Sequence, residues 1–249
     1  MTPEEFRVVG HRLIDWLADY RAHLHERPVM AITPPGSIRR ALPASPPEEG
    51  EGFDGVFRDL DQVIVPGLTL WQHPSFFGYF PSASPLSSVL GDVLSTGLGV
   101  LGLSWQSSPA LTEVEEVVND WLRQMVGLSE DWSGVIQDTA STSTLVALIC
   151  ARERATGYAM AREGLQGEPR PLVVYASDQA HSSVAKAALL AGFGHQRLRL
   201  IPHDENFALD AAIRQDLDEG RLPCAVVATT GTTASTAFDP LEPIAALAR

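Results

Sequence analysis

Three short loops in this chain of 249 residues carry more hydroxyl and imidazole groups than a turn requires. The first is Gln137-Asp-Thr-Ala-Ser-Thr-Ser-Thr144, lying between a strand pattern and a helix pattern. Small residues let backbone N–H groups approach an anion, and a helix amino end favours negative charge, so a phosphate fits; an ordinary N-cap has the same composition. The second is Ser177-Asp-Gln-Ala-His-Ser-Ser183. A histidine at the end of a strand can stack on a planar ring or move a proton, or it can be satisfied by the backbone of its own loop. The third, Thr229-Thr-Gly-Thr-Thr-Ala-Ser235 leading to Phe238-Asp-Pro240, reads either as a ligand-facing turn or simply as a turn.

The elements that must position these loops follow from periodicity. Leu172–Tyr175, Leu198–Ile201 and Ala225–Thr230 read as strands, with Gly134–Gln137 as a shorter candidate. Helices are expected over Ser143–Ala155, Ser183–Ala191, Leu209–Leu217 and from Leu241 onward. Strands alternating with helices at this spacing indicate an α/β fold, a parallel sheet with helices on its faces, and ligands at the carboxyl ends of the strands. Upstream, residues 3–27 form an amphipathic pattern with Phe6, Val9, Leu13, Leu17, Tyr20 and Leu24 on one stripe. That stripe can cover its own domain or grip a partner. A proline-rich connector spans Pro28–Gly52, a short helix is expected over Phe53–Val65, and an aromatic loop follows over Trp71–Pro81. Residues 85–103 read as a buried helix and turn. Thr112-Glu-Val-Glu115 fits a capping box that opens a helix running to about Met125.

Composition narrows the function. Acidic residues outnumber basic ones 31 to 18, and a net charge of −13 disfavours nucleic acid and anionic membranes as partners. Two separated cysteines suit a reducing cytoplasm, and the start of the chain lacks a signal-peptide pattern. Gly97-Leu-Gly-Val-Leu-Gly102 matches a nucleotide fingerprint by letter but follows a helix pattern and opens no βαβ unit. The histidines have no metal-ligand spacing, and Glu113, Glu115 and Glu116 read as a solvated helix start.

Taken in order, five stretches resemble the group II pyridoxal-phosphate decarboxylases, the aromatic-L-amino-acid decarboxylase family. They are His73-Pro-Ser-Phe-Phe-Gly-Tyr-Phe-Pro81, Ser104-Trp-Gln-Ser-Ser-Pro-Ala-Leu-Thr-Glu-Val-Glu115, Gly134-Val-Ile-Gln-Asp-Thr-Ala-Ser141, the His181 loop, and Gly231-Thr-Thr233 with Phe238-Asp239. The resemblance implies a partial type I pyridoxal-phosphate transferase-like fold. Residues 1–84 would be a helical dimerisation segment wrapping a second subunit, and 85–249 the first part of the large cofactor-binding domain. It implies pyridoxal 5'-phosphate as cofactor and decarboxylation of an aromatic L-amino acid in a homodimer. Thr139, Ala140 and Ser141 would hold the cofactor phosphate, His181 would lie against the ring with a catalytic role, and Thr233 would bond near the cofactor–substrate junction. Tyr79, Phe80, Pro81 and Ser82 would line the substrate pocket, with Leu101 and Leu103 reaching in from the second subunit.

The family also needs a Schiff-base lysine and an aspartate at the ring nitrogen, which the resemblance places beyond Arg249. Lys186 is the only lysine in the sequence and falls on the helix after His181, where a surface position is expected. The chain is therefore expected to be the amino-terminal half of such an enzyme, whether a fragment, one part of a split protein with a companion chain, or a degenerate relative. The alternatives are a decarboxylase of another amino acid such as glutamate, and a non-catalytic binding or assembly subunit.

Overall fold

The computed structural model describes every residue except Ser82, 165–167, 203–207 and Arg249. The chain divides into two compact units, Met1–Gly97 and Leu98–Arg249.

The first unit opens with α1 (Pro3–Ala22), begun by a capping box in which Thr2 accepts from the Glu5 N–H and Glu5 accepts in return from the Thr2 N–H. Helix α1 stops short of the expected residue 27, and Leu24–Glu26 form a single 3₁₀ turn that buries Leu24. The connector contains a short helix, α2 (Ser37–Ala41). Next comes α3 (Gly52–Asp59), continued by a π turn over Leu60–Ile64. Arg12 pairs with Asp54 at 2.8 Å and lies over the Phe57 ring, and the Trp16 indole donates to Asp61 at 3.0 Å, so these contacts bind α1 to α3 and its extension. Of the α1 stripe and its continuation only Leu24 is buried; Phe6 and Leu13 are exposed.

Helix α4 (Leu86–Leu98) is present, but the expected burial of 85–103 is not. Leu90, Val93, Leu94, Leu98, Leu101 and Leu103 are all exposed, because apolar composition alone does not supply a covering surface.

In the second unit, α5 (Pro109–Met125) starts earlier than the Thr112 capping box predicts. Ser108 is the cap, accepting from the Leu111 N–H, with Pro109 in the first helical position where a missing N–H costs nothing. Glu115 instead accepts from the Ile136 N–H at 3.0 Å, and Glu113 from the Trp105 indole at 3.0 Å, so neither is merely solvated. That use of the Ile136 N–H is one reason Gly134–Gln137 is not a strand: it has no neighbouring strand among the described residues.

Helices α6 (Ala140–Ala155) and α7 (Met160–Glu163) lead to β1 (Leu172–Ser177), α8 (Ser182–Leu190), β2 (Leu198–Ile201), α9 (Ala208–Asp218), β3 (Leu222–Val227) and α10 (Leu241–Leu247). The strands form a parallel sheet in the order β2-β1-β3. Because side chains alternate along a strand, Val174 faces α6 and α8, packing with Leu148, Ala187 and Ala188, while Val173 and Tyr175 face Ile213 of α9 and Ile244 of α10. Both faces of β1 are therefore covered, which explains its continuous buried run. The β1–β3 register shifts between Val173 and Val174, opposite Pro223, which has no N–H to give the ladder. Strand β3 ends three residues before the expected Thr230: the Thr229 N–H leaves the sheet for the Asp239 carboxylate.

Candidate functional site

The three polar loops lie toward one edge of the sheet. In a parallel sheet the segments after β1 and β3 leave from the same side, the carboxyl end. Arg152 of α6 donates to the Ala191 carbonyl at the end of α8 at 2.7 Å and Leu148 packs with Ala187 and Ala188, so the two helices run side by side in the same direction, their amino ends offset by about one turn. Since α8 begins where β1 ends, the amino end of α6 lies on that carboxyl edge as well.

At that amino end Thr139 is the N-cap, accepting from the Thr142 N–H at 3.2 Å. The Thr139 carbonyl accepts from the N–H and hydroxyl of Ser143, and the Ala140 carbonyl accepts from the Thr144 hydroxyl. The N–H groups of Ala140 and Ser141 have no acceptor among the described residues, and both residues are exposed. Two free N–H groups and an adjacent hydroxyl at a helix amino end form a cradle of the kind that binds phosphate. The loop thus caps the helix and leaves two backbone donors over.

After β1, the Asp178 N–H donates to the Ile201 carbonyl and the Ala180 N–H to the Ser177 carbonyl, which sets the turn carrying His181. His181 caps α8: its Nδ1 accepts from the Ser183 N–H at 3.2 Å and lies 3.0 Å from the Ser183 hydroxyl. The ring is exposed, as is Lys186 further along α8.

After β3, Asp239 and Thr229 exchange two bonds, the Thr229 N–H to the carboxylate at 2.7 Å and the Asp239 N–H to the Thr229 carbonyl at 2.9 Å. Gly231, at φ +92°, makes a turn that a side chain would strain. Thr232 is buried, its hydroxyl 2.7 Å from that of Ser235 and accepting from the Ala237 N–H. Thr232 thus fixes the loop and leaves Thr233 exposed. The sequence reading singled out Thr233 and missed its anchor, whose signal was only one more threonine in a run.

In the first unit, the Trp71 ring stacks on Phe76 at 5.4 Å and on Tyr79 at 5.2 Å. Tyr79 has φ +56°, a left-handed conformation that costs a bulky residue free energy. Tyr79, Phe80 and Pro81 are exposed, and Ser82 lies outside the described residues. His73 is buried beneath, its Nδ1 accepting from the Ser75 N–H at 2.9 Å.

A second polar cluster was not anticipated. Asp216 on α9 is fully buried and accepts from the Tyr175 hydroxyl at 2.8 Å, from Arg199 on β2 at 2.8 and 3.1 Å, and from Arg221 before β3. It ties β1, β2 and the residue that leads into β3 to α9, and belongs to the frame of the sheet. Burial pushes the Cys224 thiol up to about 11, so the partly buried group favours the neutral thiol.

Residues 35–249 match the pyridoxal-dependent decarboxylase conserved domain. The chain is 42% identical to aromatic-L-amino-acid decarboxylase of Bos taurus over 97% of its own length and 52% of that protein. It is 40% identical to tyrosine decarboxylase of Papaver somniferum over 100% of its length and 51% of that protein. The crystal structure of Catharanthus roseus tryptophan decarboxylase in complex with L-tryptophan matches with a TM-score of 0.92 at 36% identity, covering 100% of this chain and 55% of that one. The chain thus spans about half the length of the curated relatives it matches. The partial α/β fold, the order of its motifs and this similarity agree: the chain belongs to the pyridoxal-dependent decarboxylase family.

Proposed function

We propose that this chain is the amino-terminal portion of a pyridoxal-phosphate enzyme that decarboxylates an aromatic L-amino acid to its amine and CO2. The observation that carries this reading is the pair of unpartnered N–H groups at Ala140 and Ser141, on the same sheet edge as His181 and Thr233. The cofactor phosphate would rest on Ala140 and Ser141 with Thr139 beside them, His181 would lie against the ring, and Thr233 would bond near the substrate. Pyridoxal phosphate, when bound, supplies the sink for the electron pair left as CO2 departs. The chain's own task is to anchor the phosphate, hold the ring plane and orient the scissile bond.

Tyr79, Phe80, Pro81 and Ser82 would receive the substrate side chain. The loop from Trp71 to Ser82 contains no arginine, which favours an aromatic substrate over glutamate, whose carboxylate calls for a cationic partner. Residues 1–84 would serve as the dimerisation segment and 85–249 as the first part of the cofactor domain. In that homodimer Leu101 and Leu103, both exposed, would reach the pocket of the second subunit. No helix among the described residues is long and apolar enough to cross a membrane; together with the two unpaired cysteines this fits a cytoplasmic enzyme.

The Schiff-base lysine would come from a further segment or a companion chain, since Lys186 is an exposed residue on α8. This chain alone is expected to yield no amine and no borohydride-reducible cofactor adduct at a defined lysine. A stoichiometric adduct at Lys186, with turnover lost in Lys186→Ala, contradicts that. Intact mass and end sequencing of the natural protein then separate the classes. A further segment with a lysine supports the enzyme, and its absence supports a non-catalytic binding subunit.

Assembly has its own test. Deleting residues 1–27 removes the exposed apolar residues of α1, and the complete protein should lose its soluble dimer. An undiminished dimer after the deletion shows that the segment is not an assembly element.

A further inference from the structure

We infer that Ser183 is a positioning residue that fixes the tautomer of His181, so that the ring meets a bound molecule as an Nε2–H donor. The inference rests on the functional reading above for what His181 meets, but not for the state of the ring. A backbone N–H can only donate. The Ser183 N–H, 3.2 Å from Nδ1, therefore requires a lone pair there, and the proton of the neutral imidazole must sit on Nε2. The Ser183 hydroxyl, 3.0 Å from the same nitrogen, adds a second group on that side, and Ser183 is itself buried, which holds the arrangement in place. Nε2 has no protein partner among the described residues, and the His181 ring is exposed.

The same local geometry recurs in the first unit. In His73-Pro-Ser75 the Ser75 N–H donates to Nδ1 at 2.9 Å, again leaving Nε2 as the donor. The difference lies in access: Nε2 of His73 is buried without a partner, whereas the His181 ring is open. In both places a histidine followed two residues later by serine holds a backbone N–H on its Nδ1, and at the exposed His181 this leaves Nε2 as the available donor. Nδ1 is occupied, so an acceptor atom of the ligand is the group that Nε2 can serve, and proton abstraction by Nδ1 is excluded while the cap is formed.

The test is an imidazole nitrogen NMR spectrum of the full chain labelled with ¹⁵N-histidine, the His181 signals being assigned by their loss in His181→Gln. The expected spectrum shows His181 with a bare Nδ1 and a protonated Nε2. Ser183→Ala keeps the N–H and should keep this pattern. Ser183→Pro removes the N–H at a first-turn position that tolerates proline, and should change the tautomer ratio about five- to tenfold, the worth of one ordinary hydrogen bond. Ser182→Pro retains the Ser183 N–H and serves as the control for proline itself. A protonated Nδ1 in the unsubstituted chain overturns the proposal, as does an unchanged ratio in a folded Ser183→Pro. Should Ser183→Pro fail to fold, the spectra of the unsubstituted chain and Ser183→Ala decide. Failure of pyridoxal phosphate to bind the whole protein would overturn the cofactor reading and leave the tautomer result standing.

Discussion

Asp216→Ala is expected to destabilise the second unit by about 3–5 kcal/mol, the usual loss when one partner of a buried ionic cluster is removed. The carboxylate is fully buried and accepts from Tyr175, Arg199 and Arg221. Without it two guanidinium groups and a phenol face a void at the joint of β1, β2, β3 and α9. A loss of that size is a large fraction of the stability of a typical domain, so a clear drop in denaturant midpoint should be seen. A change under about 1 kcal/mol, the scale of a surface pair, contradicts the assignment. The cluster also sets an acid limit. Burial pushes the Asp216 carboxyl up, but hydrogen bonds from Tyr175, Arg221 and Arg199 outweigh it and hold the group below its ordinary 3.8. With the folded value lowered, the contribution is complete above pH 3.8 and is lost as pH falls through the lower folded value. Asp216→Asn should abolish that acid-dependent loss. Burial and the Asp216 hydrogen bond shift Tyr175 the other way, upward from 10.0, so its contribution fades only in strong alkali.

The second large effect concerns His181 in the whole enzyme. His181→Phe keeps a flat partner for the cofactor ring but removes the Nε2–H donor, and His181→Ala removes the plane as well. Phe should hold the cofactor yet lower turnover by about 10²-fold or more, the scale of a lost acid–base or donor group. Ala should lose cofactor affinity in addition. Full turnover in His181→Phe would reduce the residue to a stacking surface. Near-normal binding and turnover in His181→Ala would make it an ordinary loop histidine.

Much of this frame was legible from local patterns. The β2 strand came out with its observed limits, and β1, α8, α9 and α10 within two residues or so, because their periodicity and their burial agree. The parallel sheet and the edge that carries the polar loops followed from the alternation of elements. The misses have physical causes. Gly134–Gln137 has strand composition but no neighbour to pair with, and a strand exists only as a member of a ladder. Thr112 and Glu115 match a cap by spacing, yet Ser108 with Pro109 offers an earlier start and wins. The apolar face of α4 was read as core because composition records what should be covered and not whether a cover is present. Asp216 was invisible because its role depends on contacts between distant segments, and Thr232 because nothing in a run of threonines marks which one turns inward to Ser235 and Ala237. The Tyr175–Asp216 bond joins residues 41 positions apart.

The central claim is that this chain supplies the phosphate and ring contacts of a pyridoxal-phosphate decarboxylase for aromatic substrates. The most direct measurement uses the whole natural protein, stripped of cofactor and then assayed for amine release from a panel of aromatic L-amino acids and glutamate, with and without added pyridoxal phosphate. The account predicts amine from at least one aromatic amino acid, absent without the cofactor and restored with it, and little or none from glutamate. Amine release indifferent to the cofactor, a preference for glutamate, or no product from any aromatic substrate would contradict it.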